Sequence, residues 1–466
     1  MNAGRTSGAV MTNNLQLSPV AGRERIVAMD VIRGFALLGI LVVNMLFFGY
    51  TLPVALHDTT LQYAPMSERV MAWVVGTVFA GKFVSTFSFL FGAGLYLQMT
   101  RLDAARSAAA ATGARARSTT LLALRRLFIL ACFGLVHAIV IWYGDILFIY
   151  AMVGLLLIPL RFLSTKALAI VAACLLSLSV LCMGGMGLLG GLAPPPSKTE
   201  TAAELTSRQA ILEASADEPR TFDRLVELGN QPTPWSVVEP RWCAFETAVL
   251  REGPVGVAMT LRALQWGSVL IVMFFFYGPH MLGMFVLGMA VASVGLLRPS
   301  AAALQRRVAL VCVPLGLLLS AVLPTMQFTT PHLTTGMLLP GSLANEIGTV
   351  LLAIGYISGM AWFSNSIGGP VASFLAAGGR MAFTVYLSMS LLMTGLMYWW
   401  GLGHFGEFSR VELFIIAIVT WFALLLLASL WLRVFRMGPL EWVWRAGAYL
   451  QLPAMRRTSA PDAGGE

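Results

Sequence analysis

Apolar residues run along this chain in long blocks, and the polar links between the blocks are short. Ten blocks stand out, at approximately 32–52, 78–99, 127–143, 146–163, 167–192, 267–297, 308–327, 343–363, 380–400 and 413–433. A helix that crosses a bilayer needs about 20 mostly apolar residues. The pattern therefore predicts an all-α, polytopic membrane helix bundle of about ten transmembrane helices. The sixth block contains Gly278-Pro279 and should kink or break there, because proline removes a backbone donor and clashes with the preceding turn. A weaker run from Val70 to Ala80 reads as interfacial, just ahead of Lys82.

The links test this division, since Lys and Arg concentrate in cytoplasmic loops. Arg5, Arg23 and Arg25 precede the first block. The next basic links carry Arg101, Arg106, Arg115, Arg117, Arg125 and Arg126, then Arg161 and Lys166, then Arg298, Arg306 and Arg307, then Arg380, and finally Arg433, Arg436, Arg445, Arg456 and Arg457. The short links between them hold Arg69, Lys82 and Arg410. This alternation predicts a bacterial inner-membrane protein with both termini cytoplasmic. Residues 1–25 and 450–466 then form disordered cytoplasmic tails, while 26–192 and 267–449 each supply five helices. The segment 193–266 becomes a periplasmic loop with short amphipathic helices, in which Trp235, Trp242 and Trp266 suit the membrane interface. The last half also contains a surface helix.

Composition narrows the function classes. Only 11% of residues are charged and 58% are hydrophobic, against roughly 25% charged in an ordinary soluble domain. The net charge of +9 sits in the inner links, so it points to anionic lipid as a partner and not to nucleic acid. Four of the five cysteines, Cys132, Cys174, Cys182 and Cys312, lie inside apolar blocks and only Cys243 lies outside, which predicts free thiols. The first block is long enough to span and lacks an A-x-A-like cleavage site, so it reads as a retained span.

Chemistry is concentrated in a few places. Asp30, Arg33 and Asn44 lie on the first span, with Arg33 and Asn44 on one face roughly 16 Å apart along the axis. Polar groups inside a membrane are functional candidates, although Asp30 and Arg33 also suit a local ion pair and Asn44 an interhelical bond. Lys82 opens the second span and either binds an anion or snorkels to the headgroups. Gly92 and Gly94 read as close helix packing. His137 lies two turns before Tyr143-Gly144-Asp145, a position for a general base or proton relay with Asp145 at the mouth of the span. A histidine satisfied by one bond to a neighbouring helix is the alternative. His57, Asp58, His280 and His332 are individually weak, and no spacing among the histidines is that of a zinc motif. Arg380, in Gly378-Gly379-Arg380, joins Arg33, Arg125 and Arg126 as a candidate basic pocket. Gly438-Pro439-Leu440-Glu441-Trp442-Val443-Trp444-Arg445 reads as an amphipathic surface helix.

These residues, in this order and over nearly the whole chain from about Arg25 to Tyr449, resemble the YeiB-like bacterial membrane proteins, a family built around a domain of unknown function. The first spans are also similar to transmembrane acyltransferases of the heparan glucosaminide acetyltransferase type. That resemblance implies acyl-CoA as a co-substrate entering from the cytoplasm, no permanently bound cofactor, and a lipid or glycan acceptor on the other side. It places Asn44 at the position of the acetyltransferase's catalytic asparagine, with His57 only a loose match to its histidine, so His137 is preferred as the base. Asp145 would orient it. Asp30, Arg33, Lys82, Arg125, Arg126 and Arg380 would bind substrate. The alternatives are a proton-coupled transporter or exporter, and a membrane scaffold.

Overall fold

A long apolar segment in lipid must satisfy its backbone internally, and only a helix does so within one segment. The computed structural model bears this out: among the described residues every element is helical, apart from one isolated backbone bridge between Phe435 and Arg456. The structure describes residues 26–56, 61, 64–112, 118–192, 220–229, 240–330 and 335–457. The tails 1–25 and 458–466, His57, Asp58, Trp235, His332 and the proline-rich start of the 193–266 segment lie outside the described residues.

Helix α1 (Val27–Gly49) has Asp30 in its first turn, where a carboxylate suits the positive end of the helix dipole. After α2 (Met66–Val74) a π turn, Val75–Phe79, leads into α3 (Lys82–Ala111). Helix α4 (Thr119–Val136) runs into a second π turn, His137–Ile141, followed by α5 (Leu147–Leu155) and α6 (Thr165–Leu192). Two short helices, α7 (Phe222–Gly229) and α8 (Pro240–Glu252), precede α9 (Val255–Val272). A third π turn, Met273–Tyr277, then breaks the regular helix where Gly278-Pro279 predicted it, and α10 (Gly278–Ser293) restarts with Pro279 in its first turn. Helices α11 (Ala302–Thr329) and α12 (Thr335–Trp362) form the most extensive helix pair, and α12 ends in a fourth π turn, Phe363–Ile367. The chain closes with α13 (Gly369–Arg380), α14 (Ala382–Met397), α15 (Arg410–Val434) and α16 (Pro439–Tyr449).

Among the described residues eight helices are long and apolar enough to cross a membrane, or nine if α13 and α14, bent by 77° to one another, count as one span. Three features depart from the block pattern. The block at 146–163 is divided into α5 and a single turn at Leu157–Leu160 that contains Pro159, so neither piece has the length of a full crossing. Helix α4 begins several residues earlier than its block and carries Arg125 and Arg126 within it. Helix α9 likewise begins at Val255, because Arg262 is accommodated inside the helix bundle: Nη1 donates to the Val140 carbonyl at 2.7 Å and the guanidinium lies 4.9 Å from the centre of the Tyr398 ring.

Helix α1 sits at the centre, packed on α3, α12, α13, α14 and α15. Its crossing with α13 is so close that a side-chain carbon on Gly34 would collide with the Leu375 backbone, and one on Gly379 with the Asp30 backbone. The crossing of α3 with α10 is built the same way, from Gly92 against Phe285 and Gly288 against Phe89. Small residues that let backbones meet are the usual basis of helix association in lipid. Large apolar side chains such as Phe128, Leu181, Leu310, Leu318 and Val419 point outward and are exposed. An apolar exterior around a core that holds the charges is the arrangement a bilayer demands.

The surface helix α16 is tied to the bundle by Glu441, whose carboxylate accepts from the Phe383 and Thr384 amides at 2.8 and 3.1 Å and from Thr384 Oγ1 at 2.6 Å. Those amides belong to the first turn of α14, where they have no partner within the helix. The Gly-Pro-Leu-Glu segment therefore caps the second arm of the bent pair.

Candidate functional site

The geometry of His137 begins with Gly134. A side-chain carbon there would collide with the Phe148 amide and the Asp145 carboxylate, so the glycine allows the loop after α4 to fold back against its own last turn. Asp145 then accepts from the Phe148 amide through Oδ2 at 2.8 Å and from His137 Nδ1 through Oδ1 at 2.9 Å. The π turn that starts at His137 inserts an extra residue into the helix, a distortion that recurs at functional sites. His137 is 1% exposed and Asp145 3%. Histidine Nε2 is buried and has no hydrogen-bond partner. His137 is thus oriented by a carboxylate and keeps the second nitrogen open.

The Tyr386 ring lies 5.4 Å from the His137 ring and the Trp142 ring 6.2 Å, and Trp142 stacks on Phe48 of α1 at 4.1 Å. Asn44 is half-buried one turn before Phe48, so it stands on the stretch of α1 that adjoins this aromatic shell. The turn that begins with His137 also borders a cavity of about 270 Å³ lined by Val140, Ile141, Met259, Arg262, Leu391 and Trp399, among others. Beyond Arg262, Glu246 of α8 is fully buried and accepts from the Leu52 amide at 3.0 Å, Gln265 at 2.8 Å and the Trp242 indole at 3.2 Å. Burial outweighs those bonds and pushes its carboxyl up to about 7.

The basic residues fall into two groups. Arg33 donates to Asp30 at 3.2 Å and lies against Gly94, while Arg380 donates to the Arg436 carbonyl at 3.1 Å. Both belong to the α1–α13 crossing, since Gly379 touches the Asp30 backbone. Arg125 and Arg126 instead engage α16: Arg125 donates to the Ala448 carbonyl at 3.3 Å, and Arg126 lies 4.3 Å over Trp444, whose indole donates to the Arg126 carbonyl.

The architecture has relatives. Over 431 residues this chain is 30% identical to the uncharacterized protein YeiB of Escherichia coli K12, covering 91% of this chain and 96% of the relative. The chain belongs to the YeiB-like family. It is also 27% identical over 445 residues to the uncharacterized protein YxaH of Bacillus subtilis 168, covering 93% of this chain and 96% of that one. The family model described as a protein of unknown function, DUF418, matches residues 291–451. That segment runs from the end of α10 through α16, so it contains both the α13–α14 bend and the Glu441 cap.

This YeiB-like chain holds a second polar centre that sequence reasoning did not assemble. Lys82, fully buried, donates to the Gly76 carbonyl at 2.8 Å and lies 3.4 Å from Asn345 Oδ1. Close by, Ser85 Oγ is 2.6 Å from His280 Nε2, and His280 Nδ1 is 2.5 Å from Glu346 Oε1, which also accepts from Ser179 at 2.8 Å. Tyr277 stacks on His280 at 4.6 Å and its hydroxyl reaches the Gly81 carbonyl at 3.3 Å. The array joins α3, α6, α10 and α12, and π turns lie immediately before both Lys82 and His280. Only Lys82 stood out in the sequence. The signal for the rest was a histidine and a glutamate inside apolar blocks, where ionisable residues are costly.

Proposed function

We propose that the chain is a bacterial inner-membrane acyltransferase that moves an acyl group from a cytoplasmic donor to an acceptor presented at the periplasmic side. In this reading α5 with the Leu157–Leu160 turn makes a short tenth crossing, α13 and α14 make one bent crossing, and both termini face the cytoplasm. The alternation of basic and charge-poor links supports that topology. One observation carries the chemistry: His137 is held through Nδ1 by Asp145 and keeps Nε2 unpartnered inside the protein.

The acceptor's hydroxyl or amine gives its proton to His137 Nε2 as its oxygen or nitrogen bonds to the acyl carbonyl carbon. Asp145 stabilises the resulting imidazolium and fixes the ring, the task a carboxylate performs in any such pair. The bond from carbonyl carbon to the donor's sulfur then breaks, and the thiolate leaves with the proton that His137 received. The resemblance assigns the Asn44 amide to polarise the acyl carbonyl. Arg33, beside Asp30, and Arg380 are assigned to the donor's phosphates, for which guanidinium forks are suited. Acyl-CoA is the donor class implied by the resemblance.

The test is mass spectrometry of envelope lipids and glycans from cells with and without the protein. A component heavier by one acyl group, present only with the protein and lost in His137→Ala, supports the reading. Identical profiles under conditions where the protein is produced would end it.

The Ser85–His280–Glu346 array favours a second reading, proton-coupled transport. Its hydroxyls can turn so that His280 is satisfied either neutral or protonated. When neutral, Ser85 donates to Nε2 and Tyr277 donates to the Gly81 carbonyl; when protonated, Nε2 donates to Ser85 and Ser85 donates to Gly81. Flux in proteoliposomes that needs a proton gradient and no acyl donor, with the cargo unmodified, would establish transport instead.

A further inference from the structure

The cavity beside the His137 turn contains a charge that no carboxylate among the described residues is paired with. Arg262 is 3% exposed. Its Nη1 serves the Val140 carbonyl, while Nε and Nη2 are buried without a hydrogen-bond partner. No carboxylate among the described residues is paired with it. Glu246, on the adjoining α8, commits its oxygens to the Leu52 amide, Gln265 and Trp242. The indole N–H of Trp399, also on the cavity wall, is a further buried donor without a partner. An arginine stays protonated at any physiological pH, and removing an unpaired charge from water costs several kcal/mol. Stacking on the Tyr398 ring recovers only part of that cost.

The rest of the lining is apolar, from Val255, Met259, Leu391 and Trp400, and the groove opens outward, since Val140, Val255, Leu391 and Trp400 are themselves partly exposed. A cationic fork with two orphan donors, a third donor from an indole, and an apolar groove together describe a complement to one kind of molecule. Resting on the acyl-transfer reading, we infer that this cavity binds a phosphate-bearing amphiphile, its phosphate on Arg262 and Trp399 and its chain along Val255, Met259 and Leu391. Arginine forks match phosphate oxygens two at a time. A free phosphate ion meets the same donors but leaves the apolar wall uncovered. The groove borders the π turn that begins at His137, through Val140 and Ile141, so an amphiphile seated on Arg262 would lie against the same turn that carries the proposed base.

Binding is measurable without any transfer. The full chain in a neutral polyoxyethylene ether detergent is titrated with radiolabelled dodecyl phosphate, and with inorganic phosphate and a neutral dodecyl glycoside as competitors. The expected result is one dodecyl phosphate per chain, displaced by neither competitor at tenfold higher concentration. Arg262→Gln weakens it at least tenfold and Arg262→Lys weakens it less. Leu391→Trp, which keeps the charge and fills the groove, also weakens it and remains informative if Arg262→Gln does not fold. Equal binding to wild type and Leu391→Trp, or displacement by the neutral glycoside, overturns the site; displacement by inorganic phosphate overturns the amphiphile assignment. Because His137→Ala should bind dodecyl phosphate as wild type does, loss of acyl transfer and loss of this site are separate outcomes.

Discussion

Among the described residues, two buried histidines, His137 and His280, are held by carboxylates at similar distances, yet they differ in what they leave unused. His280 has both nitrogens engaged, by Ser85 and by Glu346, and the carboxylate has a further donor in Ser179. His137 has one nitrogen engaged and one open, with a cavity bordered by its own π turn. A closed network binds helices together, and each member is costly to remove because its partners are left unsatisfied. An open nitrogen adds little to the fold and is available for chemistry. Under the proposed function, the first centre serves stability and the second carries the chemistry.

The sharpest way to break that contrast is to remove a carboxylate from each centre. Glu346→Ala leaves His280, Ser179 and Lys82 without it, and should cost about 3–5 kcal/mol of stability, the usual consequence of breaking a buried pair. Asp145→Asn keeps an oxygen for the Phe148 amide and should cost only about 1 kcal/mol. Reversible unfolding in mixed micelles measures both. Equal losses would erase the distinction between closed and open.

Glu246 extends the rule outside the spans. Its folded carboxyl is raised from an ordinary value of 4.5 to about 7, so in that window the unfolded chain has released a proton that the folded chain still holds. Stability contributed by this group is therefore highest below pH 4.5, falls as pH rises towards 7, and is constant above it. The full change is on the order of 3 kcal/mol. The protection factors of the Pro240–Glu252 amides, that is, the intrinsic exchange rate at each pH divided by the observed rate, should fall across that window in wild type and stay constant in Glu246→Gln; a constant wild-type protection factor would contradict the burial argument.

The smaller effect concerns Glu441, which caps α14 from outside. Glu441→Ala should cost about 1–2 kcal/mol, the scale of a lost helix cap, and should release α16 before any span unfolds. Cysteine labelling along Pro439–Tyr449 would report it. Labelling no faster than in wild type would show that Trp444 and Arg126 hold the surface helix unaided.

How much of this was legible in the sequence follows from chain distance. His137 and Asp145 are eight residues apart, a spacing that regular helix rise would hold about 12 Å apart; the sequence placed both at one end of a span, but the contact itself comes from the π turn and the loop that folds back over Gly134. Ser85, His280 and Glu346 are separated by 195 and 66 residues. No local pattern announces that three helices will meet there, and His280 looked weak alone. The membrane class followed directly from block length, but the number of crossings did not. Pro159 divides one block, and the chain bends by 77° after Arg380, next to the close approach of Gly379 to the backbone of α1. Arg262 misled the reading of boundaries, since a charge appears to end an apolar block until its carbonyl and ring partners are known.

The central claim is that the open nitrogen of His137 is the base. The most direct measurement is the rate of acyl transfer by His137→Ala against wild type, in the same membranes, at equal protein and with both still binding dodecyl phosphate. The account predicts a fall of about 10²–10⁴-fold, the contribution of a general base. A rate within threefold of wild type would show that the reaction does not pass through His137.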